Sequence, residues 1–374
     1  MIRTPKMLLL SLAVAAAVAG CSKSDDAAAP AAGTTAAAPA ALTLDESKLP
    51  PVNRFLIGDL DTTKDACADL GSFANSKWLA DNAIPSDRTS WGAFEMLDER
   101  STAVQRQLAE QAATRANASG TEKIVGDLWA TGMDEAKINA QGIDPIKGHL
   151  AAIDALADKD AIADYLRSSA AKGQNFLFGF GALPEFSTPN MNTAVAVQGG
   201  LGLPDKNYYF DADKKDLRDA YLAHIGKMLE LSGVASADAA KQAADVLAFE
   251  TRLAKASKSS EEFSRDVNLY NNMVSFADAD KLTPNFSWTK FFESQGVTGL
   301  EKFSLATPAF HQEVSAMLGD TDPAAWRSYL RFHTVDGAAP YLSDAFANER
   351  FNFYNNKLSG QKEIEARWKR VLGT

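Results

Sequence analysis

Residues 144–173, DPIKGHLAAIDALADKDAIADYLRSSAAKG, decide the fold class. Asp144-Pro145 predicts an N-cap followed by Pro at the first helical position, where its fixed φ fits and its missing N–H is not needed. Ile146, Leu150, Ile153 and Leu156 then fall on one stripe at helical spacing. A second helix is predicted from Lys159 to about Ala171, with Ile162, Tyr165 and Leu166 turned inward and Gly173 as its stop. The same pattern recurs outward along the chain. Leu217, Tyr221, Ile225, Met228 and Leu229 line a helix ending at Gly233, and Ser236 opens a long one through Val246, Leu247 and Leu253 to about Ala256. Asp322-Pro323 caps another carrying Trp326, Tyr329 and Leu330, and Lys362 to Leu372 reads as a last helix with Ile364, Trp368 and Leu372 on one face. Two short apolar runs, Phe176–Phe180 and Thr193–Val197, are bounded by Gly, Pro or Asn and are predicted to pair as strands. The fold class is therefore mainly α: a large multi-helix domain with a minor β hairpin or small sheet.

Composition narrows the field further. The 374 residues are 46% hydrophobic and 9% aromatic, too rich in core-forming side chains for a disordered chain. A formal net charge of −10 argues against nucleic acid as a partner. Mean hydropathy is −0.20 and one long apolar run occurs, at the N-terminus, so a polytopic membrane protein is excluded. That run has the layout of an export signal: basic Arg3 and Lys6, apolar Met7–Ala19, then Val18-Ala19-Gly20-Cys21. Small residues before a Cys are the pattern of the bacterial lipobox, in which the Cys is acylated and becomes the new N-terminus. The organisation expected is a lipoprotein signal peptide at 1–20, an Ala/Pro-rich flexible tether at 21–47, and a folded domain at 48–374. Lipidation is expected at Cys21. Loss of Arg3 and Lys6 with the signal brings the mature charge to −12. Ser22 after the Cys favours the outer membrane facing the periplasm, within the bacterial cell envelope. Cys67 is then a free thiol, expected to be semi-buried and structural.

Residue spacing alone supplies no active site. His149, His224, His311 and His333 share no i, i+4 spacing, and no His-Glu-x-x-His occurs. A zinc hydrolase needs imidazoles and a carboxylate converging on one ion, so each histidine is read as a surface or core-edge residue. There is no Cys-x-x-Cys, no phosphate-binding Gly-x-x-x-x-Gly-Lys and no Gly-x-Ser-x-Gly elbow. Glu261-Glu262 and Asp98-Glu99 read as solvated helix surface, and Arg265-Asp266 as a local ion pair holding a loop. Gly199, Gly200 and Gly202 before Pro204 predict a tight turn needing positive φ. Trp78, Trp91, Tyr208 and Tyr209 are expected in core or interdomain packing. No catalytic and no metal-binding residue is assigned.

Several segments nonetheless carry a resemblance. Residues 67–97 include Asn75-Ser76-Lys77-Trp78-Leu79, Ile84-Pro85 and Gly92-Ala93-Phe94-Glu95-Met96-Leu97. They resemble the opening signature of the neprilysin and endothelin-converting-enzyme family of zinc metallopeptidases. Gly200-Leu201-Gly202-Leu203-Pro204-Asp205-Lys206-Asn207-Tyr208-Tyr209 and Arg265-Asp266-Val267-Asn268-Leu269-Tyr270-Asn271 are similar to two further family segments, in the same order. Phe249-Glu250-Thr251-Arg252-Leu253-Ala254 and Arg367-Trp368-Lys369-Arg370 echo two more. Leu70, Gly71 and Ser76 depart from the pattern.

The resemblance covers about residues 48–374 and implies the family's N-terminal, substrate-enclosing cap domain. It implies zinc as cofactor, with ligands in a catalytic half whose His-Glu-x-x-His is not in this chain. It further implies short peptides as substrates and that catalytic domain, in cis or in trans, as a partner beside the membrane anchor. Ser90 and Asp98 do not reproduce the family's substrate-facing charges; Glu95 keeps an acidic character and is the one candidate substrate-facing residue. The competing reading is a non-catalytic envelope lipoprotein that binds peptide or protein.

Overall fold

In the computed structural model, residues 41–52, 56–185 and 188–373 are described, and from Leu42 onward they belong to one compact unit. The signal, Cys21 and residues 22–40 of the tether lie outside the described residues. Residues 43 and 45, assigned to the tether, donate backbone hydrogen bonds to Gln111 and Gln107.

The chain first builds a helical limb: α1 (Leu70–Asp81), α2 (Ala93–Thr114), α3 (Gly120–Met133) and α4 (Glu135–Gln141). Small residues let α2 and α3 cross closely. A Cβ on Gly126 would come within 2.6 Å of the Ala112 carbonyl oxygen, so Gly is required there by contact rather than by φ. The body follows with α5 (Lys147–Asp154) and α6 (Lys159–Ala170), then strands β1 (Phe178–Pro184) and β2 (Asn192–Gln198). Asp144-Pro145 forms a 3-10 turn ahead of α5 instead of its cap, whereas Asp158 caps α6 by accepting from the Ala161 N–H.

Next come α7 (Lys215–Leu231), α8 (Ser236–Ala256), α9 (Ser260–Arg265), strand β3 (Met273–Ser275), α10 (Phe276–Leu282) and α11 (Trp288–Ser294). Strand β4 (Lys302–Leu305), α12 (Pro308–Asp320), α13 (Pro323–Ala338) and α14 (Asp344–Arg350) complete the body. Here Asp322 caps α13 as its sequence predicts, accepting from the Ala324 N–H with Pro323 at the first position. A π-helical stretch, Phe351–Leu358, continues α14. Helix α15 (Arg367–Leu372) returns to pack on α2 and α3, and is shorter than the predicted 362–372 span. Residues 361–363 cannot be helical because their backbone is committed elsewhere: Lys362 and Glu363 N–H both donate to the Ser86 carbonyl.

The predicted strand pair is present. β1 and β2 run antiparallel, with Phe180 opposite Ala196. They belong to a four-stranded mixed sheet ordered β1-β2-β4-β3, in which β2 and β4 are parallel and β3 and β4 antiparallel. Beneath the sheet lies an aromatic core of Phe178, Phe286, Trp288, Phe291, Phe303 and Phe310, all buried. Each such ring removed from water contributes about 1.5–3 kcal/mol. On the other side of the body, α8 presents Ala239, Ala243, Val246, Phe249 and Leu253 inward; its alanines let α7 and α13 approach. The molecule is thus mainly α with one small sheet.

Candidate functional site

Three arrangements place chemistry-bearing side chains together. The first is at the start of α2, where the sequence points to Glu95. Glu95 is half-buried in the first helical turn and accepts from Ser90 Oγ at 2.6 Å. That hydrogen bond, ahead of any other influence, holds its carboxyl below the ordinary value. Beside it, Phe94 is 86% exposed and Leu97 55%. Leu70 and Leu79 on α1, and Ile124 and Leu128 on α3, are likewise exposed. No helix among the described residues is long and apolar enough to cross a membrane, so these exposed apolar side chains lie outside any such spanning helix.

Asp98 lies on the exposed side of α2, but Glu99 does not read as solvated surface. Glu99 is half-buried between Arg88 and Lys369, and Lys369 also reaches Asp87 at 2.9 Å. Burial opposes the charge on Glu99, and hydrogen bonds from Lys369 and Arg88 overcome it, so its carboxyl titrates below the usual range. This cluster ties α2 to α15.

The second arrangement is the Gly200–Tyr209 segment. Gly200 has φ +81°, as a tight turn requires, while Gly199 and Gly202 lack positive φ. Gly202 is needed for proximity: an added Cβ would sit 1.8 Å from the Tyr221 hydroxyl oxygen. That hydroxyl, the Tyr209 hydroxyl at 2.5 Å and the Gly202 N–H all donate to Glu250, which is fully buried on α8. Burial first, and then the adjacent Glu250 carboxylate, push both tyrosines well above their ordinary pKa, which keeps them donors. His333 Nε2 is the fourth group on Glu250, at 2.8 Å.

The third arrangement corrects the reading of the histidines. His149 is at the surface, but His224 and His311 are each 2% exposed. His224 on α7 stands between Glu349 at Nδ1 (2.9 Å) and Asp336 at Nε2 (3.1 Å). Burial disfavours its charge, yet the hydrogen bonds to Asp336 and Glu349 outweigh it and raise its pKa. His311 has the opposite fate: burial, against two backbone carbonyl contacts, pushes it down to about 4. The partners of His224 and His333 lie on other helices far along the chain, which spacing could not reveal.

Two smaller readings also change. Arg265 pairs with Glu261 rather than Asp266, whose side chain caps the next turn by accepting from the Asn268 N–H. Cys67 is exposed, not semi-buried. Among the described residues, no three His, Cys, Asp or Glu side chains come together to hold a metal ion. The described residues therefore do not fit a zinc site.

Comparison with known proteins matches this architecture. The family model of Peptidase family M13, N-terminal part, matches residues 66–374. Rat endothelin-converting enzyme 1 is 25% identical over 333 residues, covering 85% of this chain and 43% of its own length. Rat endothelin-converting enzyme-like 1 is 27% identical over 312 residues, covering 78% of this chain and 40% of its own. Among solved structures, the Mycobacterium tuberculosis zinc metalloprotease Zmp1 in complex with inhibitor superposes with a TM-score of 0.76 at 30% identity, over 84% of this chain and 48% of that one. The chain thus spans less than half the length of the relatives it matches. With a family match over most of its residues and the fold of a solved member, the chain belongs to Peptidase family M13, of which it contains the neprilysin-like N-terminal domain.

Proposed function

We propose that this chain is the substrate-enclosing part of a zinc metalloendopeptidase that hydrolyses short peptides in the bacterial cell envelope, inactive without a His-Glu-x-x-His half. The observation that carries the reading is the set of large apolar side chains left exposed on α1, α2 and α3, among them Leu79, Phe94, Leu97, Ile124 and Leu128, on a domain of known peptidase kinship. A catalytic half supplying the zinc ligands would cover these side chains, and Glu95 with its Ser90 partner would look into the enclosed space. Anchoring through a lipid on Cys21 would hold the assembly at the outer membrane.

The deciding experiment measures bound metal after dialysis and cleavage of a quenched-fluorescence peptide with added zinc. The chain alone should hold no stoichiometric zinc and cleave nothing. Adding a family catalytic half carrying His-Glu-x-x-His should produce chelator-sensitive cleavage. One zinc per chain with cleavage by the chain alone would overturn the reading. Peptide binding that the catalytic half never converts to cleavage would favour a non-catalytic binding lipoprotein. Mass spectrometry of the envelope fraction, with Cys21→Ser as control, tests the anchor; an unmodified soluble chain would refute it.

A further inference from the structure

A cleft of about 480 Å³ opens between the start of α5, the Gln174–Phe176 loop, Gly200–Leu201 and α13. That volume suits a small molecule or a short peptide end. Its apolar wall is Ile146, Phe176, Leu201 and Tyr341, and no Asp, Glu, Lys or Arg is among the described residues lining it. The titratable side chains at this wall are the half-buried His333 and the exposed His149.

His333 is held by buried Glu250 and by the Tyr329 ring. Glu250 collects the hydrogens of Tyr221, Gly202 and Tyr209, and Tyr209 is fixed as a donor because its oxygen accepts from the Leu203 N–H. The His333 Nε2 contact with the same carboxylate is therefore a donated hydrogen bond, which fixes ring orientation. Nδ1 is left without a hydrogen-bond partner among the described residues. Next to it in sequence, Thr334 Oγ1 is buried and unpartnered, and Thr334 also lines the cleft. A buried polar atom with no partner is costly unless a ligand or water meets it.

Tyr329 keeps the floor in place. Its hydroxyl lies 2.7 Å from the Phe176 carbonyl and 2.8 Å from that of Gly200, and a Cβ at Gly200 would collide with it at 2.6 Å.

We propose that this cleft is a binding site for a small carboxylate. The acid group accepts from His333 Nδ1–H and Thr334 Oγ–H, and its apolar body lies against Phe176, Leu201 and Tyr341. His333 then bridges two carboxylates, buried Glu250 on one side and the ligand on the other, the Nδ1 proton being the one taken up with the acid on binding. A peptide C-terminus and a free organic acid share this chemistry. The assignment does not depend on the peptidase reading, since neither the exposed apolar side chains of α1, α2 and α3 nor a zinc ion takes part.

Isothermal titration calorimetry on the full chain tests it, with three probes: N-acetyl-Ala-Phe as the free acid, the same peptide as its C-terminal amide, and phenylacetate. The free acid should bind at least about tenfold more tightly than the amide, as expected for a charge-assisted hydrogen bond. His333→Gln, whose amide can still reach Glu250, and Thr334→Val should each weaken the acid about tenfold while leaving the amide unchanged. Far-ultraviolet circular dichroism verifies folding of both variants. Phenylacetate binding as well as the peptide acid assigns the site to organic acids, and tighter peptide binding assigns it to peptide ends. Equal binding of acid and amide, undiminished acid binding in both variants, or no binding of either acid at millimolar concentration would overturn the proposal.

Discussion

The limb of α1–α4 and the body of α5–α14 are made of similar helices but finish differently. In the body, Trp288, Phe291, Phe303, Phe310, Trp326 and Phe332 are buried almost completely, and sheet and helices close over them. In the limb, residues 42–134 bury only Ala109, Ala112, Gly126 and Trp129 among the described residues, while Phe94, Ile124 and Leu128 face outward. The body's apolar stripes find partners within the chain. The limb's apolar side chains outnumber those that the packing of α2, α3 and α15 covers, so part of them is left over. Self-sufficiency is thus a property of one region, and the surplus in the other is a surface awaiting contact.

The largest expected effect tests that contrast directly. Phe291→Ala, in the aromatic core under the sheet, should cost about 3–5 kcal/mol in urea unfolding. Phe291 touches Phe178, Phe180, Phe286 and Trp288, and so many rings cannot collapse into the space it leaves. A loss below about 1 kcal/mol would mean that the body is not the closed core described.

The two buried histidines sharpen the comparison through pH. An unfolded histidine titrates near 6.5. Folded His311 stays neutral down to about 4, so between those values the unfolded chain takes up a proton that the folded one refuses. Stability should fall as pH drops through that window, by up to about 3 kcal/mol. His224 works on the other side. Its raised pKa gives a contribution present in full below about 6.5 and lost as pH rises through the folded value. The body should therefore be most stable near neutrality. His311→Gln should flatten the acid limb and His224→Gln the alkaline one in pH-resolved urea titrations, and unchanged limbs would refute both assignments.

The smallest effect belongs to the limb. Phe94→Ser with Leu128→Ser should change stability by no more than about 0.5 kcal/mol, because neither side chain loses much burial. The same pair should abolish most binding of a hydrophobic dye. Large destabilisation would show that these side chains are covered from within.

The sequence is legible where structure is local. The ends of α6 and α8 fall within a residue of those predicted, and Asp322-Pro323 and Gly233 punctuate as expected, since caps and stops act through neighbouring backbone groups. The β1–β2 hairpin is legible for the same reason. The rest of the sheet is not: β3 has three residues and β4 four, too short for a period, and β4 finds β2 by pairing Val195 with Ser304. Site residues follow the same division. Glu95 and Ser90 lie in one turn-and-helix start, but Glu250 meets Tyr209, Tyr221 and His333 only after α7, α8 and α13 have packed. A lone histidine in a sequence therefore reads as bland when its carboxylate is on another helix. The exposure of Cys67 depends on where its loop settles, which no pattern in the residues signals.

The hold of Ser86 on Lys362 and Glu363, with Lys369 reaching back to Asp87 and Glu99, has a consequence in time. These contacts join residues 270 to 282 positions apart, so they cannot form until the segment that follows residue 360 has left the ribosome. Closing so long a loop is entropically slow, and pairings of this range form late. The body can assemble from its own elements first, while the limb stays unfastened until the segment around residue 365 arrives. Its apolar helices are at greatest risk of aggregation until that segment appears, and its docking ends that risk.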